Sequence, residues 1–386
     1  MTALTPIPAG LLDPPADFVA AIQPQDLVYF CCNVGDADAQ LILVPERPPH
    51  DHRRAIVVDA GRSGKIDRLL DLCAAANLLP VDAATGRLAA QAIALVVATH
   101  PHADHIGGMP RLLHRYGDSV AEFWDSGYWH PIGAFHDTMR EIERRQMLYM
   151  QPSSGTRRWI HQTLITVLAP AVHLRNRFDS YGIEINNSSI SLRIDYPAAR
   201  VLRRNSERVL LDRDQSVRLI LGGDAQTESW AHVGSDFPQL FASGNAAARA
   251  IGAASGIDHL NADVLKVSHH ASDRGVNFEL IRRIGPKVTI VSSADRSPRY
   301  NFPHHVSQEL LREALQSTDG IGQPRGNDWE LGLFYTADTV AAPPANLGTI
   351  AMRLRPNLRE LWRLGDDVDD VTAFDLSGAR RWSQPL

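Results

Sequence analysis

Thr99-His100-Pro101-His102-Ala103-Asp104-His105-Ile106-Gly107-Gly108 places four side chains of metal-ligating type within six residues. Pro101 and the glycines break any helical surface spacing, so the cluster is not one polar face of an amphipathic helix. The apolar run Ala92 to Ala98 just before it predicts a strand. Gly107-Gly108-Met109-Pro110 just after it predicts a tight turn into a short helix. On an extended segment, two histidines two apart can converge on one cation. Asp104 and His105 can then face a second. Mixed imidazole and carboxylate ligands suit zinc, with manganese or iron as alternatives.

The matching partners lie far along the chain. The strand Val217 to Leu221 delivers Asp224 past two glycines, and a carboxylate with two oxygens can bridge two ions. The strand Asp263 to Val267 delivers His269-His270. His269 is the expected ligand. His270 is expected to serve as an outer donor or substrate contact, with ligation the alternative, because a ligating imidazole needs its other nitrogen oriented.

These segments carry a resemblance. THPHADHIGG at Thr99 to Gly108 matches the HxHxDH signature of the metallo-β-lactamase superfamily. NVGDADAQLILV, IVVDAG, NNSSISLRI, LGGDA and LKVSHHAS resemble stand-alone relatives of the C-terminal domain of ComEC/Rec2 DNA-uptake proteins, from about Leu27 to Leu354. The resemblance implies an αββα sandwich and two divalent metal ions. It puts His100 and His102 at the first ion and Asp104, His105 and His269 at the second, with Asp224 shared. Many relatives add a histidine to the first site, a role for which His173 in LAPAVHLRN is the candidate, although ComEC-like relatives often lack that ligand. Lys266 resembles a family lysine and is expected to face an anionic leaving oxygen. Asn187 is expected to contact substrate. Ala271 stands where the family has glycine, and Phe302 where it has a histidine, so His304 is the expected substitute on the substrate side.

The remaining pattern is strands in two groups with helices between, an α+β arrangement with polar residues gathered past the strand ends. Leu27 to Val58 reads as consecutive strands at an antiparallel sheet edge. Residues 1–24, rich in Pro and Ala, are expected to be an arm on the surface or a disordered lead. Residues 25–355 are expected to form the hydrolase domain, with a helical and aromatic insert at about 122–160 that serves core, lid or substrate wall. Residues 356–386 form a polar tail whose acidic run from Asp366 reads as solvated surface.

The chemistry expected is hydrolysis by a metal-bound hydroxide, with Asp104, Lys266 and His270 as catalytic candidates. Two ions about 3.5–4 Å apart lower the pKa of water toward roughly 7. The first substrate choice is a phosphodiester of a nucleic acid or nucleotide, with Arg53, Arg54, Arg62, Arg157, Arg158, Arg203 and Arg204 available for phosphate contacts. A small lactone or ester is the alternative, and a non-catalytic binding protein on the same fold is a third class. Net charge of -5 and a pI near 6.3 argue against non-specific duplex binding. The chain has no G-x-S-x-G elbow and no Walker A loop. Three cysteines make no disulfide framework, no basic-then-apolar leader opens the sequence, and no 18-residue apolar run occurs. The expectation is a cytoplasmic, non-membrane protein.

Overall fold

The computed structural model describes residues 9–45, 52–174, 184–198, 201–204, 207–210, 216–238, 260–294, 301–316, 326–337, 348–368, 371–372, 374–384 and 386. After a short helix α1 (Phe18–Ala21), strands β1 (Leu27–Cys31), β2 (Ala39–Val44) and β3 (Arg54–Ala60) run antiparallel. They are apolar almost throughout because both faces are covered. Their residues alternate between two cores. Val28, Phe30 and Val57 face a helical layer, while Leu27, Tyr29 and Val58 face a second sheet.

Helix α2 (Lys65–Ala75) carries the chain to β4 (Ile93–Ala98), which lies parallel to β3. Helices α3 (Ala103–Ile106) and α4 (Met109–Tyr116) lead to β5 (Glu122–Asp125), and α5 (Gly133–Arg145) leads to β6 (Leu148–Met150). Both crossovers return parallel. Residues 122–150 are therefore the continuation of the first sheet rather than an appended insert. The buried Phe123 and Trp124 are core residues of β5.

The second sheet comprises β7 (Arg157–Ile160), β8 (Thr163–Ala169), β9 (Ser191–Tyr196), β12 (Val217–Leu221), β13 (Val264–Lys266), β14 (Val288–Ala294) and β15 (Leu333–Ala337). A hairpin of β10 (Val201–Arg204) and β11 (Glu207–Leu210) stands apart from it. Helices α6 (Thr227–Asp236), α7 (Phe278–Ile284) and α8 (His305–Leu315) cover its outer face through Trp230, Val233, Ile281 and Leu311. Among the described residues the layers are helices, nine strands, seven strands and helices: an αββα sandwich.

The tail does not stand outside the domain. After β16 (Ile350–Arg355), β17 (Leu358–Arg363) and β18 (Arg380–Arg381) extend the first sheet beyond β1, in the order β18-β17-β16-β1. The sheet edge expected at β1 is therefore covered. The arm meets this tail, with Leu12 bridging Trp382 and Ala16 bridging Ala379, and Phe18 is buried against Phe30 and Trp362. β15 and β16 join different sheets. Asp366 is not solvated surface: it is buried, accepts from Thr349 N at 2.6 Å and pairs with Lys65. Asp369 and Asp370 lie outside the described residues. No helix among the described residues is long and apolar enough to cross a membrane.

Candidate metal centre

Parallel pairing of β3 with β4, and of β12 with β13, puts the C-terminal ends of these strands on common sheet edges. The polar residues that follow meet between the two sheets. Ile190 N donates to Thr99 O at 2.9 Å and stitches the edges together. Gly222 is required by close approach, since a Cβ there would stand 2.2 Å from Ser268 Oγ. Asp224 N then donates to Ser189 Oγ at 2.9 Å, which fixes the carboxylate.

Asp104, His105, Asp224 and His270 offer ligand atoms that all lie within 4.8 Å of one another. His105 Nε2 is 3.3 Å from Asp224 Oδ1 and 3.5 Å from Asp104 Oδ2. His270 Nε2 is 3.8 Å from Asp104 Oδ2 and 3.9 Å from Asp224 Oδ1. His105 Nε2, His270 Nε2 and Asp224 Oδ1 are buried without a hydrogen-bond partner. Buried polar atoms left unpaired are costly and rare. Three converging on one point fit a cation that the residues would hold between them. Beside them, His100 Nε2 and His102 Nδ1 approach to 2.9 Å, and His100 Nε2 lies 3.8 Å from Asp224 Oδ2.

Burial lowers the His105 and His270 pKa, but Asp224 and the neighbouring carboxylates outweigh it and raise both, so the cluster draws positive charge to these rings. Burial pushes the Asp224 pKa up, but the imidazoles of His105, His269 and His270 outweigh it and hold the carboxyl well below its usual range. A carboxylate kept ionised in the interior attracts positive charge. Burial, joined by neighbouring imidazoles, pushes His100 well below its usual range. Burial brings His102 down to about 4. Both are therefore neutral near pH 7, with the lone pairs that metal binding needs.

An outer layer orients these groups. Asp59 Oδ2 accepts from His105 Nδ1 at 2.8 Å, and Asp59 also accepts from Thr99 N and Thr99 Oγ1. His270 Nδ1 donates to Ser292 O, whose hydroxyl donates to Asp38 Oδ1. Asp38 and Asp59 escaped the sequence reading, although each lies in a quoted motif, NVGDAD and IVVDAG. His130 also escaped it: its ring stands 5.8 Å from that of His102.

Several expectations shift by one residue or fail. His270 joins the compact cluster, whereas His269 Nε2 faces the other oxygen of Asp224 at 3.7 Å. His269, His270 and Ala271 all adopt positive φ, at 50°, 50° and 58°. That conformation costs roughly 1–2 kcal/mol per L-residue, and strain of this kind collects at functional sites. Asn187 does not face the site. It is buried, donating to Glu228 Oε2 at 3.0 Å and accepting from Ser229 N at 3.3 Å, and so braces α6. Its neighbour Asn186 has Nδ2 3.4 Å from His269 Nε2. Lys266 is fully buried and paired with Asp38, so it faces no leaving group. His173 stands away from the cluster against His232, with Nε2 atoms 2.9 Å apart. His304 donates its backbone N–H to Ala271 O and precedes α8, while Phe302 stacks on His270 at 5.6 Å.

The metallo-beta-lactamase superfamily profile matches residues 50–202, which include β4 and the His100 to His105 loop. The fold is the metallo-β-lactamase fold. ComE operon protein 3 of Bacillus subtilis (strain 168) is 31% identical over 110 residues, 28% of this chain and 12% of that protein. The match thus spans a small part of that relative's length. Among solved structures, Igni18, a metallo hydrolase from Ignicoccus hospitalis, is similar over 85% of this chain and all of its own, at 12% identity and TM-score 0.38. A long-form RNase Z from yeast is similar over 70% of this chain and 38% of its own, at 12% identity and TM-score 0.32. On this fold, the Asp104, His105, Asp224 and His270 cluster forms a candidate divalent-metal site.

Proposed function

We propose that this protein is a metal-dependent hydrolase that cleaves a phosphodiester of a nucleic acid or nucleotide. The observation that carries the metal requirement is the convergence of three unpartnered buried atoms, on His105, Asp224 and His270, beside the His100–His102 pair. Two divalent ions, zinc first among them, supply Lewis acidity and acidify water when bound. The chain's own residues do the rest. Asp224 presents one oxygen to each side of the centre. Asp104 keeps a partly exposed carboxylate at the mouth, where it can orient an attacking water. Asp59 and the Ser292 carbonyl hold the rings of His105 and His270 in place.

The phosphodiester class rests on the motif resemblance to the DNA-uptake domain and on the rim. Arg62 is exposed and stands beside Gly107, directly after the metal loop. Arg53 turns inward to the Asp26 carbonyl at 2.7 Å, and Arg158 pairs with Glu122, so neither is free for phosphate. The side chains of Arg203 and Arg204 lie outside the described residues. A small ester or lactone is the second reading, favoured by Phe302 over His270 and His130 beside His102, which put rings on two sides of the centre.

The test is a substrate panel with zinc- or manganese-loaded protein: linear DNA, RNA, a cyclic dinucleotide, bis-p-nitrophenyl phosphate and a lactone, with Asp224→Ala as control. Phosphodiester turnover lost in the control supports the proposal. Turnover of the lactone alone moves the substrate to the second reading. Equal activity in the control overturns the metal-dependent mechanism.

A further inference from the structure

His269 and His270 are adjacent in sequence, yet the backbone fans their rings to opposite sides of one carboxylate. His270 Nε2 lies 3.9 Å from Asp224 Oδ1, the oxygen that His105 Nε2 approaches at 3.3 Å. His269 Nε2 lies 3.7 Å from Asp224 Oδ2, the oxygen that His100 Nε2 approaches at 3.8 Å. Each oxygen of Asp224 is thus flanked by two imidazoles, one from the His100 to His105 loop and one from the His269-His270 pair. The consecutive positive-φ residues His269, His270 and Ala271 produce this split.

We infer that His269 is the third imidazole of the first cation site, completing His100, His102 and Asp224 Oδ2, while His270 closes the second. The inference rests on the two-cation reading above. His173, the sequence candidate for a further first-site histidine, is paired instead with His232. The outer contacts of His269 suit a ligand. Ser272 Oγ stands 2.9 Å from Nδ1 and can accept its proton, which leaves the Nε2 lone pair turned toward Asp224. Gln226 Nε2, 3.3 Å from Nδ1, packs on the same side of the ring. Asn186 Nδ2 stands 3.4 Å from Nε2, at the outer limit of a hydrogen bond, and yields to a cation. Adjacent histidines thereby serve two ions.

The experiment is zinc titration of metal-stripped full chain against a chromophoric chelator, with cobalt absorption as a second readout. The proteins are wild type, His269→Ala, His269→Gln, His270→Ala and His173→Ala. The expected result is two ions in wild type and in His173→Ala. Both His269 variants keep one tight ion and bind the other at least about tenfold more weakly, and His270→Ala weakens the tight ion. Metal-free thermal melts of the two His269 variants identify any that fail to fold. Two ions at wild-type affinity in a folded His269 variant overturn the inference and leave the two-cation reading standing. One ion or none in wild type overturns that reading, and the inference with it.

Discussion

Asp59 Oδ2 accepts a hydrogen bond from His105 Nδ1 at 2.8 Å, and both side chains are fully buried. A carboxylate on the far nitrogen fixes the ring and its tautomer, so that Nε2 points at Asp104 and Asp224. Asp59→Asn is expected to weaken cation binding about 10–100-fold, the range seen when such outer partners are lost. Chelator competition measures it. Unchanged affinity would show that the loop positions His105 without Asp59.

Lys266 and Asp38 form an ion pair with both side chains fully buried, and Asp38 Oδ1 lies 3.9 Å from His270 Nδ1. Removing one partner leaves an uncompensated interior charge, so Lys266→Ala should cost about 3–5 kcal/mol in urea unfolding. The double change Lys266→Met with Asp38→Asn should cost less than either single change alone, because it leaves no charge behind. A single-variant loss under about 1 kcal/mol would mean that solvent reaches the pair.

Asn186 and Asn187 should separate cleanly. Asn187→Ala removes two hydrogen bonds that hold α6 and should lower stability by roughly 1–3 kcal/mol with kcat/KM per folded molecule retained. Asn186→Ala should change kcat/KM or metal affinity with a smaller effect on melting. The reverse pattern in thermal melts and kinetics would contradict these placements.

Cys31, Cys32 and Cys73 are buried free thiols. Burial pushes the Cys31 and Cys73 thiols up to about 12, and Cys32 is likewise raised. Native protein at pH 8 should therefore leave all three unlabelled by a thiol reagent, with full labelling on unfolding. Because the folded state holds these protons more tightly than the unfolded chain, their contribution to stability is complete below pH 9.0. It is lost as the pH rises toward about 12. Rapid labelling of native protein at pH 8 would contradict the placement of β1 in the core.

The sequence disclosed the strands best where apolar runs ended in polar loops, as at β4, β12 and β13, because a strand buried on both faces needs a continuous apolar run. It disclosed β17 poorly. Leu358–Arg363 is half-buried toward its start and carries Arg359, Glu360 and Arg363, whose charges are satisfied by partners such as Asp263 that only the fold supplies. Metal-site residue types were legible in the HxHxDH loop. The choice between neighbours was not. His269 against His270 and Asn186 against Asn187 depend on backbone dihedrals, and positive φ at non-glycine residues leaves little trace in composition. The lysine read as substrate-facing was misplaced because a partner 228 positions away, Asp38, takes its charge.

The most direct test of the metal centre is a crystal structure of zinc-loaded protein with anomalous data collected on both sides of the zinc edge. A strong peak is expected, enclosed by Asp104, His105, Asp224 and His270 at ligand distances near 2.0–2.2 Å. A zinc-loaded crystal with no peak among those four side chains would contradict it.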